Sequence, residues 1–416
     1  MSDSDPHIEA EPPFIQSPLK ARKGRGAVSN LQGRYETLIR EDIDDGWLHT
    51  DTDIGDVEAD PSCDSPATSD AEQDNAPAWK TEVIEERAKT ILSRNQSPDV
   101  PFSISLNPYR GCEHGCIYCF ARPTHSYLGL SPGLDFESRI FAKVNAPELL
   151  RRELAKATYV PEPIALGVNT DAYQPCERDL RLTRRVLEVL HECGHPVALI
   201  SKSSLIERDI DLLADMASRR QAMAAVTITT LDPAVARTLE PRAAAPARRL
   251  RTIRTLTDAG IPVGVSVAPV IPFVTDPDLE RILAAAADAG AINAGYVMLR
   301  LPWEVSPLFR QWLEAHFPDR AARVMNRVRD MRGGKDYDSS FGTRMHGEGI
   351  WADLIRQRFE KAVTRLGIGL RSGRFKGLDT SQFRAPSITS AAGSSGATDK
   401  AKNKKARGSA GQLELF

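Results

Sequence analysis

Between Phe102 and Leu301 the chain repeats one unit, a short β-like apolar run followed by a helical pattern. The runs are Phe102–Leu106, Pro163–Val168, Pro196–Ser201, Ala224–Thr230, Pro262–Ala268 and Tyr296–Leu301. Helical stretches at Pro147–Lys156, Asp179–Cys193, Leu205–Ala217, Ala245–Ala259 and Pro277–Ala289 lie between them. Strands alternating with helices of roughly 10–15 residues argue for parallel βαβ units. Six such strands predict an α/β fold, an incomplete (β/α)6 TIM-like barrel that stays partly open. Sites in such barrels form from the loops that follow the C-terminal strand ends. A chain of 416 residues holds that barrel with extensions on both sides, since a barrel of this kind takes roughly 200–250 residues.

The loop after the first strand is Asn107–Phe120, NPYRGCEHGCIYCF, which places Cys112, Cys116 and Cys119 within eight residues. Three thiolates with no obvious fourth leave two readings open. An iron–sulfur cluster normally takes four cysteine ligands, so three leave one iron free for an outside molecule. The other reading is an incomplete zinc site, although structural zinc draws its ligands from two pairs and no second cysteine pair occurs in this chain.

C-x3-C-x2-C followed by an aromatic residue resembles the cluster loop of the radical S-adenosylmethionine (radical SAM) enzymes. The resemblance implies a 4Fe-4S cluster on Cys112, Cys116 and Cys119, with S-adenosylmethionine on the fourth iron. It also implies reductive cleavage to a 5′-deoxyadenosyl radical, fed by an electron donor such as flavodoxin or ferredoxin. Tyr118 matches the position near the adenine. After the second strand the family often has Gly-Gly-Glu for the methionyl ammonium; here the stretch is Gly167-Val168-Asn169-Thr170-Asp171. The resemblance assigns Asn169, Thr170 and Asp171 to that group, and the alternative is an Asx-type turn closing the strand. Lys202, leaving the third strand, suits the methionyl carboxylate, or else is a rim lysine reaching water. Thr229 suits the ribose or methionyl part, although threonine is common in strands. Ala268 falls near the adenine side, and Glu240, Arg242, Arg248 and Arg249 are expected along the mouth.

Within the superfamily, RGCEHGCIYCFAR, ISKSS and TLDPAVARTLEPR resemble the spore photoproduct lyase-like branch. That lyase repairs a thymine dimer in DNA and uses a cysteine near the end of the second strand as hydrogen donor. Gly167–Thr170 carries no thiol here, so Cys176 is the one candidate for such a role, against the plainer reading of a small buried residue. The resemblance points to DNA as substrate; a protein or small molecule is the alternative.

The flanks divide the chain into 1–80, an extension; 81–305, the barrel; 306–385, a helical region; and 386–416, a tail. Asp51–Asn75 is acidic and poor in apolar residues, a composition of disorder, and it contains Cys63. Lys20–Arg25 is a small basic patch that reads as a solvated face. Leu31, Tyr35, Leu38, Ile39 and Ile43 suggest a docking helix or arm, and Thr81–Ser93 has a helical pattern. Helices are expected at Ser306–Phe317, Arg320–Arg332 and Ile350–Leu366. Between them Phe341–Gly349, FGTRMHGEG, suits a loop over the substrate or the open side of the barrel. Its Arg344, His346 and Glu348 are candidates, with a structural role favoured for His346. The tail ends in Gln412-Leu413-Glu414-Leu415-Phe416, which resembles the QLxLF peptide that hooks bacterial repair proteins onto the sliding clamp. Folding back onto the barrel is the alternative.

The net charge of −2 argues against strong global attraction to nucleic acid and leaves a local basic groove open. No apolar run approaches the ~18 residues of a membrane span. The acidic N-terminus lacks the features of a secretory signal, and a few unpaired cysteines in a long chain suit a reducing compartment, so the expected location is cytoplasmic. Two classes remain: a radical SAM enzyme, and a non-catalytic iron–sulfur or zinc protein recruited to DNA by its terminal peptide.

Overall fold

In the computed structural model, residues 22–36, 80–370 and 377–387 are described. The strands among them are β1 (Glu82–Glu86), β2 (Leu92–Arg94), β3 (Ile104–Leu106), β4 (Tyr109–Arg110), β5 (Arg139–Lys143) and β6 (Ile164–Leu166). They continue with β7 (Val197–Ser201), β8 (Ala222–Thr227), β9 (Val263–Val270), β10 (Asn293–Met298) and β11 (Gly369–Leu370). The main sheet has the order β11-β10-β9-β8-β7-β6-β3-β2, and a small second sheet the order β1-β5-β4. From β3 to β10 every pairing is parallel, with β3 on β6, β6 on β7, and so on. These are the six strands of the expected barrel. β9, VGVSVAPV, is buried along nearly its whole length, as a parallel strand covered on both faces must be. The helix Leu182–Glu192 turns Val186, Leu187, Val189 and Leu190 inward onto the sheet, an apolar face at helical spacing.

Thr81–Ser93 is not a helix but β1 and β2. Its apolar residues fit either period, and two partners decide the matter: β1 runs parallel to β5, and β2 antiparallel to β3. The last barrel strand starts three residues earlier than its apolar run suggests, because Asn293 pairs with Gly264 of β9. The C-terminal region forms the helices Val305–His316, Pro318–Asp330 and Gly349–Leu366, and returns β11 to the sheet beside β10. The loop Phe341–Gly349 bridges the open side: the Arg344 guanidinium meets Asp99 at 2.6 Å, and the Gly342 N–H donates to the same carboxylate at 2.7 Å. Met298 N–H donates to the Met345 carbonyl at 2.8 Å.

The basic patch is corrected at Arg25, which is buried and donates to the Glu137 carbonyl at 2.7 Å. Residues 22–36 form an irregular strap rather than a helix, so only part of the docking segment is described. Cys63, the acidic run, Lys400–Arg407 and Gln412–Phe416 lie outside the described residues. No helix among the described residues is long and apolar enough to cross a membrane.

Beneath the barrel, His195 is fully buried, its Nδ1 toward the Pro196 carbonyl at 3.0 Å and its Nε2 toward the Tyr159 hydroxyl at 2.7 Å. Burial lowers its pKa to about 4. An unfolded chain takes up that proton near the ordinary histidine value of about 6.5, so stability is lost as pH falls below it. The contribution of His195 between pH 7 and pH 5 is about 2 kcal/mol of destabilisation. Melting curves across that range, for the wild type and His195→Gln, are expected to show a shallower acid slope in the variant. Equal slopes would exclude His195 as a source.

Candidate active site

The three cysteines sit at the mouth of the parallel sheet, in the loop between β4 and β5. All three line a cavity of about 650 Å3 that opens over the C-terminal ends of the strands. Cys112 and Cys116 are buried, and all three thiols are free. Burial pushes their pKa values up, that of Cys116 to about 12 even with the Lys202 ammonium opposing the rise.

The loop has little regular hydrogen bonding of its own, so its carbonyls need donors from elsewhere. Arg122, fully buried, supplies them: Nε donates to the Cys116 carbonyl at 2.9 Å, Nη2 to Gly115 at 3.1 Å, and Nη1 to Pro132 and Gly133 at 3.1 and 2.9 Å. Its charge is matched by the equally buried Glu137 carboxylate, which also accepts the N–H groups of Gly26 and Ala27 at 3.0 and 2.8 Å. The N-terminal strap is thus fastened to the back of the cysteine loop. Both chains need glycine where they meet. A Cβ on Gly26 would lie 1.9 Å from the Gly115 carbonyl oxygen, and Gly115 has φ +66°. A docking arm was expected from Leu31 onward, but neither the Arg122–Glu137 pair nor the anchorage at Gly26 and Ala27 was anticipated from the sequence; the available signal was an arginine three residues past the last cysteine.

The other expected residues divide sharply. Tyr118, Asn169, Asp171, Lys202 and Ala268 line the same cavity as the thiols. Thr170 and Thr229 do not. Thr170 is buried and its hydroxyl donates to the Tyr109 carbonyl at 3.0 Å. Thr229 donates to Glu240 at 2.7 Å. Strand hydroxyl residues that do line the cavity include Ser201, Thr227 and Ser266.

Asp171 behaves as a hub rather than a free carboxylate. It accepts from Ser201 Oγ at 2.8 Å, the Lys202 N–H at 2.8 Å and the Tyr173 N–H at 2.9 Å, with His114 Nδ1 at 3.4 Å. Burial would raise its pKa; the His114 ring and the N–H donors overcome this and hold it well below the usual carboxylate range. Both elements of the Asx-turn reading and of a cavity role are therefore present. The Lys202 ammonium lies 6.0 Å from the Tyr118 ring centre, and Cys116 and Glu240 favour its charged form against the cost of burial.

Glu240, Arg248 and Arg249 do not line the mouth. Glu240 and Arg249 form a buried ion pair behind the cysteine loop, with the Tyr118 hydroxyl donating to the same carboxylate. Burial opposes ionisation of Glu240, but Arg249 and Lys202 bring its pKa to about 2. Arg248 pairs with Glu207, and Arg242 with Glu113 at 3.1 Å. Cys176 also lies off the cavity, packed with Tyr109 and Leu182, and burial pushes its thiol pKa up. That placement does not suit a hydrogen donor to a molecule in the cavity. In the closing loop, Arg344 and His346 line the cavity and Glu348 does not; His346 packs edge-on against Tyr296 at 4.8 Å.

Three free thiols on one cavity, two of them buried, beside a lysine and an aromatic ring, fit a cluster held by three cysteines with room for a ligand. Among the described residues, no three His, Cys, Asp or Glu side chains converge on a single metal-ion position. A four-iron cluster does not need that convergence, because each thiolate meets its own iron.

The family model described as Radical SAM superfamily matches residues 106–286. An uncharacterized protein of Mycobacterium tuberculosis is 37% identical over 226 residues, 54% of this chain and 66% of that protein, a little under two thirds of its length. One from Methanocaldococcus jannaschii is 25% identical over 249 residues, 60% of this chain and 89% of that protein. Among solved structures, spore photoproduct lyase complexed with dinucleoside spore photoproduct superposes with a TM-score of 0.50 at 13% identity, covering 70% of this chain and 82% of that one. A mutant of that lyase with bound AdoMet and dinucleoside spore photoproduct gives a TM-score of 0.51 with the same identity and coverage. At such identity the likeness is one of fold. Residues 106–286 thus match the radical SAM superfamily as a domain, and the chain shares its fold with spore photoproduct lyase.

Proposed function

We propose that this protein is a radical SAM enzyme that acts on nucleic acid in a repair-like, lyase-type reaction. The observation that carries the reading is the meeting of Cys112, Cys116 and Cys119 with Tyr118, Asn169 and Lys202 around one cavity at the strand ends. In this reading the three thiolates hold a 4Fe-4S cluster, which when bound supplies the electron that cleaves S-adenosylmethionine to a 5′-deoxyadenosyl radical. The chain's own residues bind and orient. Lys202 offers a charge to the methionyl carboxylate, and Tyr118 and Ala268 flank the adenine. The Asn169 side chain takes the ammonium, and Asp171 fixes the turn that presents it. The Arg122–Glu137 pair keeps the cysteine loop in place.

Nucleic acid as substrate draws on the lyase fold and on the terminal Gln412–Phe416 peptide, which suits recruitment to a sliding clamp. Electron supply falls to a flavodoxin or ferredoxin. The deciding experiment uses anaerobically reconstituted protein given dithionite and S-adenosylmethionine. About four irons per chain, with release of 5′-deoxyadenosine, is the expected result. Stoichiometric zinc, or a cluster that leaves S-adenosylmethionine intact, would overturn the proposal in favour of a non-catalytic protein.

A further inference from the structure

The lining of the cavity carries both aromatic rings and arginines. Phe120, Tyr127 and Trp303 all line it, and they are respectively 40%, 40% and 55% exposed, unusual for side chains of this size. Most arginines around them are committed. Arg344 is paired with Asp99, Arg34 with Glu304 at 2.7 Å, and Arg356 with Asp353 at 3.0 Å. Arg332 donates to the carbonyls of Thr343 and Leu299.

Arg300 is the exception. It follows β10, lines the cavity and is half-buried, yet among the described residues it has no carboxylate partner. Its Nη1 meets only the Met345 sulfur at 3.4 Å and its Nη2 the Tyr337 hydroxyl at 3.3 Å, while the buried Nε has no acceptor. What holds it is stacking: the guanidinium carbon lies 5.4 Å from the Phe120 ring centre and 5.9 Å from that of Tyr337. Phe120 is the residue next to Cys119 in the chain, so an anion on Arg300 would sit one ring away from the cysteine loop.

We propose that Arg300 is the anion receptor of the substrate, and that this rim takes a nucleotide unit of a single strand, its phosphodiester on the guanidinium and its bases on the exposed rings. A planar guanidinium with free donors matches the oxygens of a phosphate. Exposed rings beside it give bases a stacking platform that tolerates sequence. An acidic peptide would satisfy Arg300 and leave the rings without planar partners. The inference deepens the proposed function and rests on it for the reaction that follows binding.

Fluorescence anisotropy with a labelled short single-stranded oligodeoxynucleotide tests it directly. Arg300→Gln is expected to weaken binding by roughly tenfold or more, and Trp303→Ala, at an exposed site, by about fivefold or more. Replacing the phosphodiesters by neutral methylphosphonates should cost the wild type more than it costs Arg300→Gln. The loss shown by the wild type alone needs no variant. Binding by Arg300→Gln within about twofold of wild type, equal losses on neutralising the backbone, or tighter binding of an acidic aromatic peptide would each overturn the subsite. If the wild type releases no 5′-deoxyadenosine while oligonucleotide binding keeps its dependence on Arg300, the enzymatic reading falls and the subsite stands. If it releases 5′-deoxyadenosine while binding ignores Arg300, only the subsite falls.

Discussion

Cys116→Ala is expected to abolish 5′-deoxyadenosine formation and iron retention while leaving the barrel folded. The two outcomes separate because the loop's shape does not depend on the thiol. Its backbone is held by Arg122 on the Cys116 carbonyl, by the Ile117 N–H donating to the Leu239 carbonyl at 3.1 Å, and by the Cys119 N–H donating to the Cys116 carbonyl at 3.2 Å. Removing one buried sulfur leaves a small cavity, a loss of about 1 kcal/mol. The ligand loss is of another order, since two thiolates are too few for a four-iron cluster. Iron and sulfide counts on anaerobically reconstituted variant and wild type, beside their melting temperatures, check both halves. A variant that keeps its iron would remove Cys116 from the ligand set. One that fails to fold would show that the thiol is structural.

Much of the fold was legible because its signals are local. Six apolar runs at regular spacing mark six parallel strands, and the three C-terminal helices fall within two residues of their expected starts. The cysteine loop was equally plain, its chemistry being written in residue type and spacing alone. Legibility ended where partners distant in sequence decide. Val83 and Ile84 take strand geometry because β5 lies alongside, a fact absent from any window around them. Thr170 and Thr229 follow strand ends as the resemblance requires, yet their hydroxyls are spent on the Tyr109 carbonyl and the Glu240 carboxylate, while Ser201, Thr227 and Ser266 line the cavity. Asp171, placed correctly in the cavity, turns out to be saturated by local donors, which only the folded turn reveals.

The residues that hold the site together were the least legible, and they carry the other large expected effect. Glu137→Ala is expected to destabilise the protein by roughly 3–5 kcal/mol, because it strands a fully buried guanidinium. Arg122 would keep its four carbonyl acceptors and lose the one counter-charge it has among the described residues, and the N–H groups of Gly26 and Ala27 would lose their acceptor in the same step. The strap would then part from the cysteine loop, so iron loading should fall along with the melting temperature. A double variant distinguishes this account from simple loss of contacts. Arg122→Met combined with Glu137→Leu removes both charges and fills similar volume, and an apolar replacement of a buried pair is often close to neutral. The double variant should therefore melt above Glu137→Leu alone, although it carries one more substitution. A double variant less stable than either single one would mean that the carbonyl contacts of Arg122, and not the charge pair, hold the loop. In that case iron loading should follow Arg122 and be indifferent to Glu137, which the same preparations would reveal.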